Sequence, residues 1–268
     1  MNKLSFLFLV ALLLIGCTKK SPTNFQSKAV FGEIYGSSFS AEIIADTPPD
    51  PATATGRVHF SNVHIDLLQK ETHPGKIKIF DYYTYLIPAG TPCSLIVACN
   101  LGSSRGCVPI PETSAYYRPS RDDTLPWGDV WFYWASSESA TWYELEAYYD
   151  AYDGQRRYLG DMDTQFVAYD TFAVVPDAFL RKYPTAAYLW ASCYLYTHSG
   201  PKPGWPTGNM IGEIRGYLIG TMFSDWVGFY VGTPPPGLRS VYSQKVPRIT
   251  ETRRRAFLSQ MYSLAVLD

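Results

Sequence analysis

The chain has 268 residues and a formal net charge of −1, and 46 % of its residues are apolar. Charged residues make up only 18 %, against roughly 25 % in an average globular domain. Aromatic residues make up 16 %, with 21 Tyr, 14 Phe and 7 Trp. Such a chain is too apolar and too weakly charged to be disordered. It is also too close to neutral to present the basic face of a general nucleic-acid-binding protein, so we expect no nucleic-acid partner.

The N-terminal residues have the pattern of a targeting segment. Lys3 precedes residues 4–15, which are apolar apart from Ser5. This run is too short to cross a bilayer as a helix, which takes about 20 residues. It ends in Leu14-Ile15-Gly16-Cys17, which resembles the lipobox of bacterial lipoproteins.

The resemblance to lipoproteins implies that residues 1–16 are a signal peptide and that Cys17 is lipidated. Several acyl chains would hold the mature chain firmly at a membrane of the bacterial cell envelope, and we expect the outer membrane. Residues 17–28 are polar and are interpreted as a tether. The alternative is an ordinary secretory signal with an incidental cysteine.

The body of the chain is predicted to be all-β. Short runs of alternating apolar and polar residues, separated by Pro and Gly turns, indicate many short strands. Residues 29–112 are predicted to form an N-terminal β-sandwich. A Pro-rich, charged stretch at 113–126 is interpreted as a linker, and residues 127–246 as a second sandwich.

The second sandwich resembles a known family over residues 129–199. A strand ending in Trp134 precedes a serine-rich turn and Ala140-Thr141-Trp142-Tyr143-Glu144-Leu145, and Pro184-Thr185-Ala186-Ala187-Tyr188 follows later. These segments resemble the fibronectin type III signature, in which the second strand carries Trp, the third carries Tyr, and a similar Pro-led segment enters the sixth. Tyr183 departs from the family's usual Leu. The resemblance implies an immunoglobulin-like sandwich without catalytic residues.

Residues 247–268 are predicted to form a short C-terminal helix. Thr250 can cap its N-terminus, and Glu251 lies in the first turn. Apolar residues recur at helical spacing after the basic run Arg253-Arg254-Arg255. We interpret the arginines as a solvated face, with contact to anionic lipid headgroups as the alternative.

Four cysteines remain besides the predicted lipidation site. A hairpin centred on Ser103 would place Cys99 opposite Cys107, close enough for a disulfide in an oxidising compartment. The alternative is a pair of free, buried thiols. Only elimination suggests a bridge between Cys93 and Cys193.

The sequence shows no convincing catalytic or metal-binding constellation. Residues 102–106 match G-x-S-x-G with Ser104 as the candidate nucleophile, but the prolines that follow exclude the helix that this motif requires. His59 and His64 are five residues apart and point to opposite faces of a regular strand. We therefore predict no enzyme activity, no cofactor and no metal.

Aromatic strands supply the candidate binding residues. Side chains alternate between the two faces of a strand, which places Trp131 and Tyr133 on one face of the strand around Phe132. In the next strand, the same alternation places an apolar set of side chains on one face and a second group on the other. We predict a binding surface on the outer face made of Trp131, Tyr133, Trp142, Tyr148, Glu144 and Glu146. Flat rings beside carboxylates suit a protein partner, and the alternative is a carbohydrate. The remaining interpretation is that another part of the chain covers these rings.

Taken together, the sequence predicts a membrane-anchored envelope lipoprotein that binds or scaffolds protein partners without catalysis. The alternative function is a carbohydrate-binding module.

Overall fold

The computed structural model describes residues 28–203, 205 and 207–236. Strands account for 59 % of these residues, so the all-β prediction is confirmed. The predicted lipidation site Cys17, the predicted signal peptide and the predicted C-terminal helix lie outside the described residues.

The strands are rich in aromatic and β-branched residues, which favour the pleated backbone. Their bounds are, in chain order, β1 (Lys28–Tyr35), β2 (Ser38–Ala45), β3 (Thr55–Phe60), β4 (Val63–Asp66), β5 (Gln69–His73), β6 (Lys76–Tyr82), β7 (Pro92–Cys99), β8 (Gly102–Pro109), β9 (Tyr116–Arg118), β10 (Thr124–Leu125), β11 (Val130–Trp134), β12 (Trp142–Tyr152), β13 (Tyr158–Ala168), β14 (Phe172–Val175), β15 (Tyr188–Ser199), β16 (Ile211–Gly212) and β17 (Arg215–Gly232). A single helical turn, α1 (Asp177–Leu180), follows β14.

One nine-stranded sheet runs through the whole described fold. Its order is β13-β12-β15-β17-β1-β2-β6-β5, and β10 pairs with β17 beside this path. The central pairing of β1 with β17 is parallel, with Ala29 opposite Arg215 and Tyr35 opposite Thr221. This pairing joins the first strand of the described chain to its last.

Two smaller sheets pack against the same face of the nine-stranded sheet. The three-stranded sheet β14-β11-β9 encloses a core with β12, β15 and the second half of β17, around Phe132, Leu145 and Phe229. The five-stranded sheet β16-β8-β7-β3-β4 encloses a second core with β1, β2 and the first half of β17, around Leu95 and Leu218. Each smaller sheet therefore forms a β-sandwich with part of the nine-stranded sheet, and the two sandwiches share that large sheet.

A bulge lets β17 line both cores. The register with β15 shifts at Ser224, so that Leu195 lies opposite Asp225 and Tyr196 opposite Phe223. An extra residue in one strand reverses which side chains face the core. Leu218 therefore points into one core, and Phe229, an odd-numbered residue, points into the other on the same face.

The predicted modules are thus joined more closely than the sequence suggested. The interpreted linker at 113–126 contains β9 and β10, which pair with β11 and β17. The predicted second sandwich supplies β16, and its residues Ile214 and Leu218 lie in the core of the first. The alternation of residues at 213–220 and 226–231 predicts two separate strands, whereas the structure has one continuous strand there, β17.

The predicted disulfide between Cys99 and Cys107 is wrong. The hairpin turns at Asn100 and Leu101, so Cys99 faces Gly102 and Cys107 faces Ser94. All four described cysteines are free. Cys93 and Cys193 are buried in different cores, which also separates the pair that elimination suggested.

The parallel pairing of β1 and β17 requires a glycine at 216. A Cβ atom there would lie 1.7 Å from the carbonyl oxygen of Val30, its partner in the register. We predict that Gly216→Ala lowers the free energy of unfolding by about 3 kcal/mol, because the backbone of one strand must move. Urea unfolding followed by tryptophan fluorescence measures the change.

Gly154→Ala is the matched control, because a Cβ atom at this turn meets nothing within 4 Å. We expect it to change stability by less than about 1 kcal/mol. Equal effects of the two substitutions would contradict the assigned register.

Candidate functional site

The side of the three-stranded sheet that points away from the core carries a cluster of exposed aromatic rings. Strand β11 alternates, burying Val130, Phe132 and Trp134 and exposing Trp131 and Tyr133. Phe172 on β14 lies opposite Tyr133 and points to the same side. We call Trp131, Tyr133 and Phe172 the aromatic platform.

The three rings of the aromatic platform form one contiguous surface. The ring centroids of Trp131 and Tyr133 lie 6.3 Å apart, and their planes differ by 13°. Phe172 lies 6.2 Å from Trp131 and 6.4 Å from Tyr133. Their exposed fractions are 46 %, 42 % and 45 %. Arg118 on β9, also exposed, stands opposite Tyr133.

The other four predicted binding residues lie elsewhere. Trp142, Glu144, Glu146 and Tyr148 belong to β12, which pairs with β13 and β15 in the nine-stranded sheet. Strand β11 belongs to the opposing sheet, so the outward side chains of β11 and β12 point away from each other. The structure therefore divides the predicted surface into two groups on opposite sides of the sandwich.

The side chains of the second group are largely buried. Trp142 and Glu144 are each 0 % exposed and Glu146 is 2 % exposed, whereas Tyr148 is half-buried. We use the name outer face for the side of the nine-stranded sheet that carries these residues, opposite both cores. The alternation of side chains along β12 correctly predicted which of its faces turns away from the core, since Leu145 and the other residues of its apolar set lie in the core.

A buried polar network crosses the outer face from β12 to β1. The Nε2 atom of His198 lies 3.0 Å from Oε2 of Glu144, and its Nδ1 atom lies 3.1 Å from Oγ1 of Thr221. Thr221 donates its hydroxyl hydrogen to Oε1 of Glu33 at 2.9 Å. The indole of Trp142 stacks on the imidazole, with 3.7 Å between centroids and planes 7° apart.

The hydrogen-bond directions in this network determine where its protons lie. Because Thr221 donates to Glu33, it accepts from His198, whose Nδ1 therefore carries a hydrogen. On the other side of the ring, Nε2 of His198 and Oε2 of Glu144 share a hydrogen bond. Both ring nitrogens of this buried imidazole therefore have a hydrogen-bond partner, as buried polar groups require.

The network continues to a third carboxyl group. Nε2 of Gln165 on β13 donates to Oε1 of Glu144 and, at 2.7 Å, to Oε1 of Glu146. The hydroxyl that contacts His198 belongs to fully buried Thr221, so the network is not presented to a substrate in solution. Its contacts join β1, β17, β15, β12 and β13 side by side.

Acidic residues extend along the same face. Asp150 on β12 lies opposite Asp161 on β13, and Asp163 lies opposite Tyr148. Partial burial, together with the charge of Asp161, raises the pKa of Asp150. Burial also raises the pKa of Tyr194 on β15 to about 12, so its phenol stays neutral.

Sequence reasoning missed two of these residues. Phe172 completes the aromatic platform, and the alternating exposure of β14 was its only available signal. His198, which the sequence analysis did not single out, lies on β15 and is completely buried. Among the residues that the structure describes, no group of three or more His, Cys, Asp or Glu is arranged to hold a metal ion. No helix in the described ranges is long and apolar enough to cross a membrane.

Comparisons with known proteins do not identify a family. No family model matches the chain, and no curated protein matches it. Among solved structures it is similar to the FN1–FN3 domains of chicken CNTN1, with 11 % identity and a TM-score of 0.33, covering 76 % of this chain and 66 % of that one. The N-terminal Ig1-2 module of the Drosophila receptor protein tyrosine phosphatase DLAR has 9 % identity and a TM-score of 0.28, with coverage of 78 % and 100 %.

A third similar structure is an enzyme. A pullulanase from Anoxybacillus sp. LM18-11, complexed with maltotriose, has 12 % identity and a TM-score of 0.24, covering 64 % of this chain and 24 % of the enzyme. The chain spans less than two thirds of the CNTN1 fragment and of the pullulanase. At these TM-scores none of the likenesses carries a functional conclusion.

The hydroxyl of Thr221 gives a test of the buried polar network. We predict that Thr221→Val, which keeps the shape of the side chain, lowers the free energy of unfolding by about 1–3 kcal/mol, because it removes the contacts to His198 and Glu33. Thr72→Val, at an exposed position of β5, is the control and should change stability by less than about 0.5 kcal/mol. Chemical denaturation measures both, and equal values would contradict a stabilising role for the network.

Proposed function

We propose that the chain is a membrane-anchored envelope lipoprotein that binds a protein partner through the aromatic platform. The observation that carries this proposal is the contiguous exposure of Trp131, Tyr133 and Phe172 on a paired sheet. Trp, Tyr and Arg are the residues most enriched at the energetic centres of protein interfaces. Arg118 beside Tyr133 adds the third of these residue types.

The backbone beneath the aromatic platform supports rigid recognition. Strand β11 pairs on one side with β14 and on the other with β9. The buried side chains Phe132 and Trp134 hold the same strand against the core. Rings held on such a strand lose little conformational entropy when a partner binds, which favours affinity.

A carbohydrate is the second candidate ligand. The nearly parallel planes of Trp131 and Tyr133 favour it, because flat rings side by side can stack on successive sugar units. The carboxylates predicted to accept hydrogen bonds from sugar hydroxyls, Glu144 and Glu146, are buried on the other side of the sandwich. We therefore rank a protein partner above a glycan.

The aromatic platform is tested by truncating one ring at a time. We predict that Trp131→Ala or Tyr133→Ala weakens partner binding by about 2 kcal/mol, roughly 30-fold in affinity. Crosslinking in native membranes identifies the partner, and titration of the purified pair measures the affinity. Tyr85→Ala is the control, because Tyr85 is 69 % exposed and lies in another part of the chain.

Two outcomes would redirect this proposal. Sugar-dependent quenching of tryptophan fluorescence that Trp131→Ala abolishes would favour the carbohydrate. A partner that binds wild type, Trp131→Ala and Tyr85→Ala equally would exclude the aromatic platform as its binding site.

The membrane anchor is a separate part of the proposal. The lipobox-like Leu14-Ile15-Gly16-Cys17 supports lipidation of Cys17. We predict that metabolic labelling with a fatty acid marks the wild-type protein and that Cys17→Ser removes the label and releases the protein from membranes. Cys107→Ser controls for other thiols, since Cys107 is exposed. Equal labelling of all three proteins would exclude the anchor.

A further inference from the structure

The hairpin formed by β3 and β4 brings two histidines together. In a single regular strand, His59 and His64 would point to opposite faces, as the sequence analysis expects. In the structure the chain turns at Ser61 and Asn62, so the two histidines lie on neighbouring strands and stand directly opposite each other. Both side chains therefore point to the same side of the five-stranded sheet, and the expectation of opposite faces is wrong.

The hydrogen bonds of the hairpin place these two side chains at the closer of the two spacings in an antiparallel ladder. The backbone N–H of Leu67 donates to the carbonyl oxygen of Gly56 at 2.8 Å, so these two residues form a hydrogen-bonded pair. Hydrogen-bonded and non-hydrogen-bonded pairs alternate along such a ladder. Three positions further along, His59 and His64 therefore form a non-hydrogen-bonded pair, in which the Cα atoms lie about 4.5 Å apart.

The two imidazole rings lie face to face on the side of the hairpin that points away from the core. Their centroids are 4.3 Å apart and their planes differ by 2°. His64 is exposed and His59 is half-buried, whereas the alternating residues Val58 and Phe60 lie in the core. No hydrogen bond joins either ring to a residue that the structure describes. The ring nitrogens are therefore available to a ligand from solution.

Paired imidazoles are suitable donors for a divalent transition-metal ion. Each neutral ring has one nitrogen with a lone pair, and imidazole is a preferred ligand of copper, nickel and zinc. Metal–nitrogen bonds of about 2 Å place two nitrogens on one ion about 3 Å apart. The ring centroids of His59 and His64 are only about 1 Å further apart than this. Rotation about the Cβ–Cγ bond, which has a broad range in histidine, can bring the nitrogens to that spacing.

The neighbouring side chains do not oppose a cation at this position. Arg57 and Asp66 form the next non-hydrogen-bonded pair of the hairpin, and Nε of Arg57 lies 2.5 Å from Oδ1 of Asp66. The carboxylate therefore compensates the guanidinium. On the other side, His59 stands opposite Ser94 of β7, which is uncharged. A dication between the two rings meets no uncompensated positive charge at these neighbouring positions.

We propose that His59 and His64 chelate one divalent transition-metal ion, each through one ring nitrogen, with water at the remaining coordination positions. Two protein ligands make this an open site, unlike the four-ligand sites that enclose structural zinc. Copper(II) binds such nitrogen ligands more tightly than nickel(II) or zinc(II). The site belongs to the five-stranded sheet, so the proposal does not depend on the aromatic platform or on its partner.

Isothermal titration of the purified full chain with nickel(II) tests the site. We expect one ion per chain, and we expect His59→Ala and His64→Ala each to weaken binding at least tenfold, because each leaves a single imidazole. His73→Ala is the matched control, since His73 is an exposed histidine on β5, and it should leave the affinity within about twofold of wild type. Absence of nickel binding, or an equal loss in His73→Ala, would overturn the proposal.

The variant that lacks both histidines separates one shared ion from two independent ones. If both rings hold the same ion, losing the second histidine adds little, so the double variant should bind within about threefold of either single variant. Additive losses would overturn the shared site. Far-ultraviolet circular dichroism confirms that the variants keep the sheet.

Copper(II) reports the ligands directly. The probe protein carries Cys107→Ser, because Cys107 is an exposed thiol opposite Ser94 on the next strand. We expect its electron paramagnetic resonance spectrum with one equivalent of copper(II) to show coupling to two imidazole nitrogens, and to one after His64→Ala. A spectrum that His64→Ala leaves unchanged would overturn the proposal, as would loss of nickel binding in Cys107→Ser, which would identify the thiol as the ligand.

Discussion

The fold depends on the parallel pairing of β1 with β17. This pairing connects residues almost 200 positions apart in the chain, so forming it requires closure of a very long loop. Because β17 continues through both cores, neither smaller sheet has a separate large sheet to pack against. The bulge at Ser224 is what allows a single strand to serve both, since without it one half of β17 would turn its core side chains to the outer face.

The buried polar network places a second constraint on the same sheet. Its members come from five strands, and each contact fixes the position of one strand along its neighbour, from Glu33 on β1 to Gln165 on β13. An apolar face of equal area would tolerate a shift by two residues, whereas a hydrogen-bonded chain does not. Both ring nitrogens of buried His198 have hydrogen-bond partners, Glu144 and Thr221, which keeps the free-energy cost of burying the imidazole low. We infer that the network specifies register more than it adds stability.

Local features of the fold could be predicted from the sequence, and long-range features could not. Alternation correctly separated the buried from the exposed residues of β11 and identified the core side of β12. Alternation does not say which sheet a strand joins, so Trp131 and Trp142 were assigned to one surface although they face opposite ways. The disulfide prediction failed for a related reason, because the hairpin turns at Asn100 and Leu101 and not at Ser103, so that Cys107 lies opposite Ser94, five positions before Cys99. The pairing of β1 with β17 leaves no local pattern at all.

The near-zero net charge of the chain conceals a separation of charge along it. The charged side chains of strands β12 and β13 are all acidic, whereas the last 32 residues contain six Lys and Arg and two Asp and Glu. The two opposite charges cancel in the net charge of the chain although they lie in different parts of it. A small net charge therefore does not mean that local electrostatic interactions are weak.

The aromatic excess is divided in a similar way. Part of it packs in the cores, part is buried with the carboxylates on the outer face, and the aromatic platform gathers three exposed rings on paired strands. Exposure, more than aromatic content, therefore distinguishes the surface that can meet a partner.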